Sequence, residues 1–149
     1  MKVSDDHVSA MRACLAGDDE ESQRLHRQLI ADGATSGYGQ FLSAAFVTAV
    51  RRRFSPTWSW GEVIRYVAGL RSVLGGDRDR LDPLVAENLM RHALGDESLN
   101  IKALDKVDDE TKAHAQLMIL MALASDANFD DSALDDLLNS ARKFAEQWQ

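Results

Sequence analysis

The stretch DDETKAHAQLMILMALAS (residues 108–125) decides the fold class. Asp108, Asp109 and Glu110 place negative charge where a helix N-terminus carries the positive end of its dipole. From Leu117 to Ala124 every residue is apolar, so a helix there is apolar on all sides and belongs at the centre of a bundle. The run is far shorter than the roughly 20 residues needed to cross a bilayer. A central helix near residues 109–125 therefore requires amphipathic neighbours.

The flanking segments have the matching pattern. Beyond the run, a helix starting near Asp130 or Asp131 carries Leu134, Leu137, Leu138, Ala141, Ala145 and Trp148, nearly a heptad seam that packs inside or joins two copies into a homodimer. Before it, residues 96–107 read as a connector, with Leu99, Ile101 and Leu104 in a packed loop or a short helix. Asp82 as cap with Pro83 at the first helical position opens a fifth helix that Gly95 closes. Ser59 followed by Glu62 has the form of a capping box for a fourth helix, whose expected buried face is Val63, Ile64, Val67, Leu70 and Leu74. Gly75 and Gly76 end it, and residues 77–80 read as a solvent loop.

A third helix from Tyr38 to Phe54 sets Phe41, Leu42, Ala45, Phe46, Ala49 and Val50 on one face, and Pro56 prevents its continuation. Two shorter helices precede it. The first carries Val8, Met11, Cys14 and Leu15 and stops at Gly17. The second begins at Asp18 or Asp19, carries Leu25, Leu29 and Ile30, and stops at Gly33. The expectation is an all-α, single domain over residues 1–149, a bundle of six to seven helices. No repeat of solenoid length interrupts it.

Composition agrees with a soluble globular chain: 45% of the 149 residues are hydrophobic and 28% charged. A single cysteine, Cys14, forbids an intramolecular disulfide and fits a reducing compartment. Residues 1–6, MKVSDD, lack the basic-then-apolar order of a signal peptide, so the expected location is cytoplasmic, away from membrane.

Charge is uneven. The chain has 17 Lys and Arg against 24 Asp and Glu, yet residues 51–75 hold five basic residues and one acidic one. Arg51, Arg52 and Arg53 end the third helix, Trp58 and Trp60 stand in the turn, and Arg65 and Arg71 follow on the fourth helix. This corner is the candidate partner-binding surface, because Trp and Arg dominate interface hot spots. Cations at a helix C-terminus also suit the dipole, which explains three of them without a partner. A helix-turn-helix contact with nucleic acid is the alternative, opposed by the net charge of −7 and by a turn, Ser55 to Ser59, without glycine. An acidic protein partner, or the acidic C-terminal half of a second copy, fits the corner better.

Other motifs fall short of a chemical site. Asp126, Asn128, Asp130 and Ser132 match alternate positions of an EF-hand loop, but Asp131 stands where its glycine belongs and Leu137 where its bidentate glutamate belongs. The same segment resembles in outline the TerB-type helical domains of tellurite resistance. That resemblance implies metal binding by acidic residues, and no individual residue is carried over from it. His7, His26, His92 and His114 lie on separate elements, each expected to be partly exposed, and none has the spacing of a helical zinc pair. Cys14 is expected to face inward as a structural thiol. Gly33, Gly37 and Gly39 lack the ending of a phosphate loop. The acidic runs at residues 18–21, 108–110 and 130–131 fall at helix starts. No catalytic, cofactor or metal residue is assigned. The expected function is a non-enzymatic protein-interaction or regulatory adaptor module; a nucleic-acid regulator, then a metal-binding or hydrolytic helical domain, are the competing readings.

Overall fold

A computed structural model describes residues 3–96, 98, 99 and 102–147. The described residues form eight α-helices and no strand. They are α1 (Asp5–Leu15), α2 (Asp19–Ala31), α3 (Tyr38–Phe54), α4 (Trp60–Leu74), α5 (Pro83–Ala93), α6 (Lys102–Asp105), α7 (Asp109–Asp126) and α8 (Asp131–Glu146). The all-α class holds, with two corrections. The connector contains α6, a single turn held by the buried Leu104 and too short to show a period. The loop after α4 winds into a 3₁₀ turn, Gly75–Arg80.

Local chemistry fixes the helix starts. The carboxylates of Asp18, Asp82, Asp108 and Asp130, and the Ser59 hydroxyl, each accept a backbone N–H from the first turn they open. The reciprocal capping box lies elsewhere, at Ser4. Its hydroxyl accepts the His7 N–H at 3.2 Å while the His7 Nδ1 accepts the Ser4 N–H at 3.1 Å. That arrangement puts the proton on Nε2, which donates to the Ala34 carbonyl at 2.7 Å. His7 is thus buried, contrary to the expectation of a partly exposed side chain. It links the start of α1 to the loop before α3. Replacing His7 with Ala removes the half-box and leaves the Ala34 carbonyl without its donor. The expected cost is about 1–3 kcal/mol, read from urea unfolding monitored by far-UV circular dichroism.

The centre of the bundle is α3 rather than α7. Phe41, Leu42, Ala44, Ala45, Phe46, Ala49, Val50 and Phe54 are all buried, and α3 packs along both α7 and α8 while touching α1 and α5. Three alanines on that surface let two helices approach closely, and Phe41 and Phe46 fill the space between them. On α7, by contrast, Ala115, Ile119, Leu120, Leu123 and Ala124 are buried, whereas Met121 is 38% exposed. The helix is apolar on all sides but covered on one. The α8 seam from Leu134 to Ala145 is consumed inside the chain against α3, so it offers no homodimer surface; Trp148 and Ile101 lie outside the described residues. Ile30 and Ile64, both expected on buried stripes, face solvent. Cys14 is half-buried, its Sγ 3.9 Å from the Met121 Sδ, and burial pushes its thiol pKa up. Among the described residues no helix is long and apolar enough to cross a membrane.

Candidate functional site

Successive residues of a helix point about 100° apart, so three adjacent arginines cannot share one surface. Arg51 turns toward α5, where its Nε donates to the Ala93 carbonyl at 2.8 Å and its guanidinium lies 5.8 Å from the Phe144 ring centre. Arg52 turns toward α8, donating to Asp136 at 3.1 Å and to the Ser140 hydroxyl at 2.9 Å. Arg53 lies over the Phe54 ring at 5.1 Å. The acidic C-terminal half thus meets part of the basic corner within one chain. Arg12 does the same on the other side of α8, reaching Asp135 at 2.7 Å and Asp131 at 3.3 Å.

The rest of the corner divides again. Trp58 is half-buried and packs against the core. Trp60 is exposed at the start of α4 and carries the Arg91 guanidinium 4.4 Å from its ring centre. Arg71 donates to the Arg78 carbonyl and pairs with Asp79, tying α4 to the 3₁₀ turn. Arg65 folds back over Gly61, where the missing side chain leaves room for its guanidinium. Arg53 and Arg65 form no ion pair among the described residues, and both reach the same groove.

Arg91 shows how firmly the Trp60 side is built. Gly95, at φ 77°, reverses the chain after α5 and lets the Asp96 N–H reach the Arg91 carbonyl. The Asp96 carboxylate then accepts from the Ser98 hydroxyl at 2.6 Å, the Ser98 N–H at 2.9 Å and the Arg91 Nε at 2.7 Å. The two paired side chains are each only 12% exposed. These bonds, the Ser98 hydroxyl foremost and then Arg91, hold the Asp96 carboxyl below the usual carboxylate range. A depressed folded pKa stabilises the fold at neutral pH, and the contribution is lost as pH falls through the folded value. Replacing Ser98 with Ala is expected to raise the Asp96 midpoint in a carboxyl-carbon NMR titration.

The groove itself runs between α4 and α7. Tyr66, Leu70, Val73 and Leu74 line one wall, Met118, Met121, Ala122 and Ser125 the other, and the space is 600 Å³. At one end the Tyr66 hydroxyl donates to Asp126 at 3.2 Å, which ties α4 to the last residue of α7. Burial first, then the Asp126 charge, pushes the Tyr66 phenol pKa up, so it stays a donor. Val73 is 86% exposed and Met121 38%, so the two walls together leave apolar surface open to solvent along the groove. Arg53, Arg65 and Asp126 stand at the polar end, beyond which a recess of 390 Å³ continues past Ala49, Leu123 and Phe129.

The groove exists because of how α4 is held. Its packing partners are α5 and the 3₁₀ turn, and only Val63 and Val67 of its apolar residues are buried. The flank carrying Leu70 and Val73 therefore stands off from α7, with Tyr66 reaching across to Asp126 at one end. Their three- and four-residue spacing was visible in sequence, but Tyr66, Val73, Met118 and Met121 were not among the expected site residues, because spacing identifies a stripe and not whether a neighbour covers it.

The Asp126–Ser132 turn is committed to other bonds. Asp126 accepts from Tyr66, Asp130 caps α8, Asp131 pairs with Arg12, and Asn128 takes a left-handed φ of 50°. Among the described residues, no three His, Cys, Asp or Glu side chains converge as a metal site. No protein-family model, curated protein or solved structure matches the chain.

Proposed function

We propose that the protein is a non-enzymatic interaction module that holds an amphipathic helix of another protein in the α4–α7 groove. The observation that carries this reading is the exposure of Val73 and Met121 beside a 600 Å³ apolar groove with Arg53 and Arg65 at its end. From Arg65 to Leu74 the wall spans about 13 Å of helix, enough for the two or three turns that bear anchors at i, i+3, i+4 and i+7. The partner helix is acidic at the end that meets the arginines. Asp126 offsets only part of that preference, because Arg53 and Arg65 outnumber it two to one in the lining of the groove. A second copy of this chain is the poorer occupant: its acidic helix α8 already spends Asp131, Asp135 and Asp136 on Arg12 and Arg52.

The test uses a fluorescein-labelled synthetic helix with Leu at the anchor spacing and Glu flanking one end, compared with the same peptide carrying Lys for Glu. Fluorescence anisotropy is expected to give saturable binding of the acidic peptide and affinity about tenfold or more weaker for the basic one. Equal affinity for the two, or no binding of either, overturns the proposal. Concentration-dependent self-association that the acidic peptide fails to displace also counts against it.

A further inference from the structure

Arg51 opens on a different space from its two neighbours. A cleft of 760 Å³ lies between α3, α5, α6 and the first half of α7, within the size range of small-molecule sites. Along α3 its floor is Gly39, Ser43, Val47 and Arg51, four residues apart and hence on one face. Leu89 and Leu104 close it on the apolar side. Its two polar ends are distinct. At one, Arg51 is held by the Ala93 carbonyl and the Phe144 ring, which uses its Nε and leaves both terminal nitrogens to form a fork. At the other, the Ser43 hydroxyl donates to the Gln116 Oε1 at 3.1 Å, which leaves the Gln116 amide N–H groups as donors. Ser43 and Arg51 are two turns apart, about 12 Å along the axis.

From this spacing we propose that the cleft binds an elongated small molecule with one carboxylate, an apolar body and a hydrogen-bonding group at its far end. The carboxylate pairs with Arg51, the body lies on Val47, Leu89 and Leu104, and the far group meets Gln116. One carboxylate is the limit. Asp105 and Asp109 stand at the rim, and Lys112 offsets only Asp109, at 3.5 Å, so a second anionic group would meet uncompensated negative charge. Arg51 is the specificity-determining group: its position is fixed before binding, so little side-chain entropy is lost when the ligand arrives.

The experiment titrates the full chain with ω-hydroxydecanoate and, as the charge control, with the diol of the same length. Melting temperature and chemical shifts are the readouts. The acid is expected to raise the melting temperature with concentration and to shift the Gln116 side-chain amide and the Ala113 methyl, with the diol at least about tenfold weaker. In Arg51→Gln the acid and the diol should bind alike. Because that variant also loses the bond to Ala93, Arg51→Lys serves as a second: it keeps the charge, loses the fork, and should bind the acid several-fold more weakly than the native chain. Equal affinity of the native chain for acid and diol overturns the proposal, as does absence of binding at millimolar ligand. Shifts at Met121 and Val73 in place of Gln116 would put the ligand in the α4–α7 groove and overturn it equally.

Discussion

Truncation of Phe46 to Ala is expected to lower the unfolding free energy by about 3–5 kcal/mol, the range for removing a fully buried aromatic ring. Phe46 lies on α3 with no exposed surface of consequence, between helices that alanines allow to approach closely. That backbone packing is tight, so the helices cannot collapse into the space the ring leaves, and the cavity cost adds to the lost transfer free energy. Urea unfolding of Phe46→Ala beside Val73→Ala makes the comparison internal. The second substitution removes a side chain that touches mostly solvent and should change stability by no more than about 0.5 kcal/mol. Similar costs for both would mean that α3 is not the centre of the bundle.

The second large effect belongs to the groove. Combined Arg53→Glu and Arg65→Glu substitution is expected to weaken binding of the acidic peptide by about a hundredfold at low salt, because two attractive contacts become like-charge contacts. The melting temperature should fall only modestly, since neither residue has an ion-pair partner among the described residues; reversing the charge at the end of α3 and losing the Arg53 stacking on Phe54 together cost about 1–2 kcal/mol. The peptide carrying Lys should gain affinity for the same variant. Raising salt should narrow all of these differences, as exposed charges are screened over about 10 Å at 0.1 M. Unchanged affinity in the double variant would remove the arginines from the binding site even if the apolar groove still took the peptide.

Helix existence was legible from residues that act locally. Asp82 with Pro83, Asp108, and Gly95 fix starts and stops through hydrogen bonds and backbone preferences within one turn, and those features sit where the spacing put them. What required the third dimension was the partner of each stripe. Ile30, Ile64 and Val73 satisfy helical periodicity and stay exposed because no neighbour packs down onto them, Val73 standing across an open groove from α7, while the uniformly apolar α7 is covered on one side only. His7 escaped notice because a histidine at the third helical position can close a capping box normally closed by Glu or Gln. The basic corner was legible as composition but not as a surface. Arg51, Arg52 and Arg53 diverge to the Ala93 carbonyl, to Asp136 and to the α4–α7 groove, and a linear charge count contains no such angle.

The groove reading is tested most directly by the methionine methyl spectrum of the chain labelled with methyl-carbon-13 methionine, recorded during titration with the acidic amphipathic peptide. Met118 and Met121 line the groove, while Met11 and Met90 are fully buried in the core and act as internal controls. The expected result is a saturable shift of the Met118 and Met121 methyls with the Met11 and Met90 methyls stationary. Saturable peptide binding that leaves Met118 and Met121 unmoved would contradict it.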